Sequence, residues 1–177
     1  MQYTRLYRSP LGTITLATDS EGLTGLWFEG QKYFAATLDA RHEETMLPIF
    51  EQTRRWLDNY FGGNDPGPTP PLHLQGSPFR LAVWEILRQI PFGKTITYGE
   101  IAREIARRQG SKTVPAQAVG GAVGHNPVSI IVPCHRVVGS NGSLTGYAGG
   151  IERKVRLLAL EKADMTGLFA PQKGTAL

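Results

Sequence analysis

The segment GGNDPGPTPP, Gly62 to Pro71, constrains this chain more than any other stretch. Its glycines and prolines cannot continue a helix or enter the interior of a sheet, so it reads as a linker between two bodies. The charge changes sign at the same place. Residues 1–75 carry a net −3 and residues 76–177 a net +7, which together give the +4 of the whole chain. A basic second half points to a polyanionic partner such as a nucleic acid, against the plainer reading of a solvated basic face. With 177 residues, 41% of them apolar, the chain is long enough for one domain or two small ones and too apolar to be disordered. No apolar run is long enough for a secretion signal or a membrane span, and the single cysteine excludes an internal disulfide and a cysteine-rich zinc site. The expectation is a cytoplasmic protein without a membrane partner and without a metal.

Before the linker, YTRLYR, TITLATD and LTGLWFEG are short, partly alternating segments separated by SPLG and SEG, the pattern of an antiparallel meander. A helix is expected over Leu47 to Phe61, with Ile49, Thr53, Trp56, Leu57 and Tyr60 along one stripe. After the linker the pattern turns helical. Ser77-Pro78 is an N-cap followed by a first-turn proline, and Phe79, Ala82, Val83, Ile86, Leu87 and Ile90 recur at helical spacing. KTITY reads as a short strand, YGEIAREIARR as a helix, and VPAQAVGGAVGHNP as a short helix. SIIVPC reads as a buried strand, SNGSLTGYAGG as a glycine-rich loop, and Ile151 to Ala163 as a basic terminal helix. These elements give boundaries of 1–62 for an N-terminal domain, 63–76 for the linker, 77–165 for a second domain and 166–177 for a frayed tail.

Residues 98–108 and 115–124 together have the layout of a helix-turn-helix. The second helix is unusual. A major-groove reader presents long polar side chains, but this one offers Ala116, Ala118, Gly120, Gly121 and Ala122, with Gln117 the main exception. Such a bare face suits close approach to a narrow minor groove, or equally tight packing against another helix.

The only cysteine lies in IIVPCHRVVG. A lone cysteine in an apolar run is commonly an inert core residue. Cys134, however, is followed by His135 and Arg136, whose positive charge favours a thiolate, and preceded by Pro133, which breaks the strand and turns the thiol aside. Glycine-rich stretches on both sides leave room for a flat ligand near the backbone. A nucleophilic cysteine is the reading these residues favour.

PCHRV (Pro133 to Val137), Asn126-Pro127 eight residues before the cysteine and GYAGG (Gly146 to Gly150) after it resemble the active-site signature of the O6-alkylguanine-DNA alkyltransferases. FGKTITYGEIA, AVGGA and IERKVRLLALE extend the resemblance over nearly all of residues 77–163. The resemblance implies an α+β fold: a small antiparallel sheet with a helix, ribonuclease H-like, then a mainly helical domain with a winged helix-turn-helix. It implies DNA repair by direct, irreversible transfer of the alkyl group from O6-alkylguanine, and O4-alkylthymine, to Cys134 after the damaged base is flipped out of the stack.

The same resemblance implies the individual roles. His135 would take the thiol proton through a water, Glu161 would orient and charge-balance that histidine, and Asn126 would brace the turn. Tyr98 would donate to the guanine ring nitrogen as the leaving group gains charge, and the Val137 carbonyl with the backbone of Tyr147, Ala148 and Gly149 would read the purine edge. Ala116, Gln117, Ala118, Gly120 and Gly121 would meet double-stranded DNA in the minor groove. No cofactor is implied, and the protein would act as a monomer, with cooperativity along DNA open. Two departures stand out: Gln117 occupies the place of an arginine that fills the gap left by the flipped base, and Ser129 replaces a proline of the pocket wall. The N-terminal zinc cysteines of some members are absent. Three other classes remain at this point: a non-catalytic binder of alkylated DNA, a cysteine hydrolase, and a DNA-binding regulator, which would need a further module with zinc-binding cysteines. The first class replaces the cysteine that this chain keeps. The second would turn over repeatedly.

Overall fold

The computed structural model describes residues 1–171. The chain divides into two compact units, one of Met1–Gln75 with Pro127–Ile131, the other of Gly76–Asn126 with the residues from Val132 onward. The linker therefore belongs with the first unit as far as Gln75, and a short piece of the second half is built into it.

The first unit is a four-stranded sheet in the order β3-β2-β1-β4, made of β1 (Gln2–Ser9), β2 (Gly12–Thr18), β3 (Leu23–Phe28) and β4 (His42–Glu44). β1, β2 and β3 form the expected antiparallel meander, with a tight turn where Ser9 faces Gly12. β4 corrects the expectation of a wholly antiparallel sheet, because it runs parallel to β1. It is only three residues long, all exposed, too short and too polar for a hydrophobic pattern to announce it.

The other edge, β3, is buried along its whole length and would leave a row of amides and carbonyls unpaired. Two short pieces complete it. Leu23 donates to the Pro71 carbonyl and accepts from His73, each at 2.8 Å, while Leu26 donates to Pro127 at 2.8 Å and accepts from Ser129 at 3.0 Å. His73 adds an ion pair to Asp19 at 2.6 Å, which raises the histidine pKa. Helix α1 (Pro48–Phe61) buries Phe50, Thr53, Trp56, Leu57 and Tyr60. Phe50 takes the place expected for Ile49, which is only half-buried. Gly25 is required by packing: a Cβ there would lie 2.0 Å from the Trp27 indole.

The second unit contains α2 (Pro78–Arg88), β5 (Ile96–Thr97), α3 (Tyr98–Gln109), α4 (Ala116–Gly124), β6 (Val137–Val138) and α5 (Ile151–Leu160). Ser77 caps α2 by accepting from the Arg80 amide at 3.2 Å. Thr97 and Glu100 form a reciprocal capping box that starts α3, and Gly110, at φ 66°, ends it in the left-handed conformation. α3 and α4 are the two arms of the expected helix-turn-helix. The Trp84 indole, an unpredicted core residue, donates to the Ala122 carbonyl at 2.8 Å and ties α2 to α4. The KTITY stretch supplies β5, which pairs in parallel with β6. α5 ends at Leu160 rather than Ala163, with Glu161 as its C-cap. Among the described residues no helix is long and apolar enough to cross a membrane. The tail expected to fray from residue 166 is instead bonded to the body as far as Phe169, whose amide donates to the Gly142 carbonyl at 3.0 Å; residues 172–177 lie outside the described residues.

Candidate active site

SIIVPC does not form the expected strand. Only Val128 makes a sheet bridge, to Leu26. Beyond it the chain turns twice. Ile130 takes φ 69° and Ile131 donates to the Ser129 carbonyl at 2.8 Å, a γ-turn that a β-branched residue adopts only under tight constraint. Pro133 follows at φ −83°, ψ 65°, with the Cys134 amide on the Val132 carbonyl at 2.8 Å, the inverse γ-turn. An apolar run reads as a strand from composition; here proline and a left-handed isoleucine break it. The Asn126 amide donates to the Val132 carbonyl at 2.7 Å and holds this bend in place. Ser129 is buried in the first unit, through its amide on Leu26.

Cys134 opens a single 3-10 turn, Cys134–Arg136, in which all three side chains are buried. Burial pushes the Cys134 thiol pKa up; a hydrogen bond from Asn126 and the charge of Lys154 pull it back only in part. Burial likewise holds His135 below its ordinary value, despite the carboxylate beside it. The resting pair is thus a thiol and a neutral imidazole.

The His135 Nε2 lies 2.5 Å from Glu161 Oε2. With the carboxylate ionised, Nε2 carries the hydrogen and Nδ1 keeps the lone pair, which makes Nδ1 the basic nitrogen. Glu161 is itself secured on its other oxygen. Arg136 Nε donates to Oε1 at 2.8 Å, the Gly93 amide donates to it at 3.0 Å, and Arg136 Nη1 donates to the Ile90 carbonyl at 2.7 Å. Burial alone would raise the Glu161 pKa, but the hydrogen bonds from His135 and Arg136 outweigh it and keep the carboxyl ionised. Arg136, read from the sequence as a charge favouring the thiolate, is instead the counter-charge of Glu161.

Lys154 was missed altogether. Its side chain is fully buried, and its ammonium donates to the Val137 carbonyl at 2.5 Å and the Thr145 carbonyl at 3.2 Å. Burial pushes its pKa down to about 8, against the opposing pull of Cys134. The signal was present in the sequence: positions 154, 157, 158 and 161 lie on one helical face, so the lysine shares a stripe with Leu157, Leu158 and Glu161. Tyr98, at the first turn of α3, donates its hydroxyl to the same Thr145 carbonyl at 3.2 Å, with the lysine ammonium 6.0 Å from its ring centroid. Burial raises the Tyr98 pKa, so the hydroxyl stays a donor.

Val137 and Tyr147 are buried, and the Tyr147 ring stands edge-on to His135 with centroids 6.3 Å apart. Gly149 packs under that ring: a Cβ would lie 2.5 Å from it. Ala148 is half-buried between them. On α4, Ala116, Gln117, Ala118 and Gly121 are exposed, and space at Gly121 is open. Gly120 corrects the expectation: it is buried with Val119, Ala122 and Val123 on the inward face. Neighbouring small residues on a short helix cannot all face outward at 3.6 residues per turn.

Residues 78–163 match the family model for the 6-O-methylguanine DNA methyltransferase, DNA binding domain, and residues 2–72 match that for its ribonuclease-like domain. The chain belongs to the 6-O-methylguanine DNA methyltransferase family. It is 42% identical over 161 residues to the methylated-DNA--protein-cysteine methyltransferase of Haemophilus influenzae, covering 90% of this chain and 86% of that one. It is also 42% identical to the enzyme of that name from Methanosarcina acetivorans, covering 90% and 97%. Among solved structures it is similar to Mycobacterium tuberculosis OGT in complex with DNA, with a TM-score of 0.78, 41% identity and coverage of 94% and 99%. Membership carries the family's reaction, direct DNA repair in which a methyl group passes to a cysteine of the protein. The hydrolase and the non-catalytic binder are not favoured.

Proposed function

We propose that Cys134 Sγ is the acceptor, and that this chain clears O6-alkylguanine, and O4-alkylthymine, from duplex DNA one lesion per molecule. The observation that carries the reading is the buried line Cys134, His135, Glu161, Arg136, built around the only cysteine in the sequence. The exposed small residues of α4 let the protein approach the minor groove closely, with Gln117 filling the stack after the damaged base is flipped. The protein binds as a monomer and works in the cytoplasm.

In the reaction the thiol proton passes through a water to His135 Nδ1, and Glu161 steadies the imidazolium. Sγ attacks the alkyl carbon in line; the S–C bond forms, the C–O bond breaks, and the electron pair leaves with the guanine. The Tyr98 hydroxyl, handed over from Thr145, donates to the ring nitrogen as negative charge grows there. The guanine anion takes up one proton and the His135 imidazolium gives one back to water, so the reaction is neutral overall and the histidine returns to its starting state. The Val137 carbonyl and the backbone of Tyr147 to Gly149 read the purine edge. The thioether is inert to water, and no cofactor enters.

Single-turnover repair tests this reading. Duplex DNA with one O6-methylguanine, offered in excess, loses one lesion per protein molecule and no more. Continued repair beyond one equivalent contradicts it.

A further inference from the structure

The loop between β6 and α5 carries Thr145, Tyr147 and five glycines, Gly139, Gly142, Gly146, Gly149 and Gly150. Glycines make such a loop costly in entropy to order, so its position needs an external hold. A segment beyond α5 supplies one. The Leu144 amide donates to the Phe169 carbonyl at 2.9 Å and the Phe169 amide donates to the Gly142 carbonyl at 3.0 Å, a parallel bridge centred on Ser143. Met165 and Leu168 pack on the cluster of Val138, Leu144, Leu158 and Ala163. Contact is backbone on backbone: a Cβ at Gly142, where φ is 91°, would lie 2.0 Å from the Gly167 carbonyl oxygen. Thr166 donates to Asp164 Oδ1 at 3.0 Å and Leu168 to the Met165 carbonyl at 3.1 Å, turns that bring the chain back onto the loop.

The bridge ends one residue from the site. Leu144 is followed directly by Thr145, whose carbonyl receives both the Tyr98 hydroxyl and the Lys154 ammonium. With rigid peptide planes and two soft torsions per residue, fixing residues 142 and 144 leaves that carbonyl little freedom. We propose that Met165 to Phe169 is a positioning strap, which sets the loop so that Thr145, Tyr98 and the Tyr147 backbone stand where the base is read. The strap touches no substrate and acts through the loop. Its effect on repair rests on the alkyl-transfer reading, whereas its hold on the loop does not.

Phe169→Pro removes the amide that donates to Gly142 and breaks the bridge, while Phe169→Ala keeps it. In Phe169→Pro, exchange of the Leu144 amide accelerates at least about tenfold, and the single-turnover repair rate falls roughly ten- to a hundredfold, the range expected for misplaced groups. Phe169→Ala matches the unmodified protein in both. Rates are measured well below the melting temperature of each variant, so a strap that only stabilised the fold would lower melting and leave the repair rate intact; that result overturns the proposal. Unchanged Leu144 exchange in Phe169→Pro overturns it as well. Were the unmodified protein to transfer no methyl group, the alkyl-transfer reading would fall, and the exchange measurement would still judge the strap.

Discussion

Lys154 brings a positive charge into a region closed to solvent, beside a thiol that must become an anion. Two carbonyls satisfy its ammonium, and its pKa of about 8 records the cost of burial. Below that pH both the folded and unfolded chains hold the proton. Between about 8 and about 10.4 the unfolded chain binds more protons than the folded one, so stability rises with pH. The rise from this residue is on the order of 3 kcal/mol. Denaturation at pH 8 and pH 10 should show it in the unmodified protein and lose it in Lys154→Met; equal slopes would mean that the buried ammonium is not under strain. Cys134, His135, Asn126 and Glu161 were legible in the sequence because their order along the chain is itself a signature. The partner of Arg136 was not, because a basic side chain is ordinarily assigned to solvent, and Lys154 was marked only by the stripe it shares with Leu157 and Leu158. Their roles come from partners 25 and 17 residues distant in the chain.

At the scale of elements, the helices were legible and the irregular connections were not. Apolar spacing marked α2 and α3 closely, and the Ser77 cap, which acts within one turn of itself, marked the start of α2. The run before Cys134 misled, since β-branched residues favour strands on average while Ile130 and Pro133 each commit the backbone to a γ-turn. β4 was invisible, as its three exposed residues carry no periodicity. The bare outer face of α4 was legible in kind, though Gly120 turns inward. Its one long side chain, Gln117, is neutral where the family resemblance leads one to expect arginine. Gln117→Arg should tighten binding to duplex DNA and steepen the slope of log affinity against log salt by about 0.9 for one added phosphate contact. An unchanged slope would place that position outside the DNA field.

At the scale of the molecule, the chain divides into two compact units, with the linker segment as far as Gln75 in the first. The sequence could not show that residues 127–131 return to the first. That exchange depends on the unpaired edge of β3, which exists only once the sheet has formed. The second unit, with a net basic charge, holds both the bare helix and the thiol, so the proposed DNA contact and the chemistry fall in one compact body. The central claim is that Cys134 keeps the group it removes. Intact-protein mass spectrometry after reaction with duplex DNA bearing O6-methylguanine, followed by peptide mapping, tests it directly. The account predicts the mass of one methyl group, located on Cys134 and lost in Cys134→Ala. Fully repaired DNA with the protein mass unchanged would contradict it.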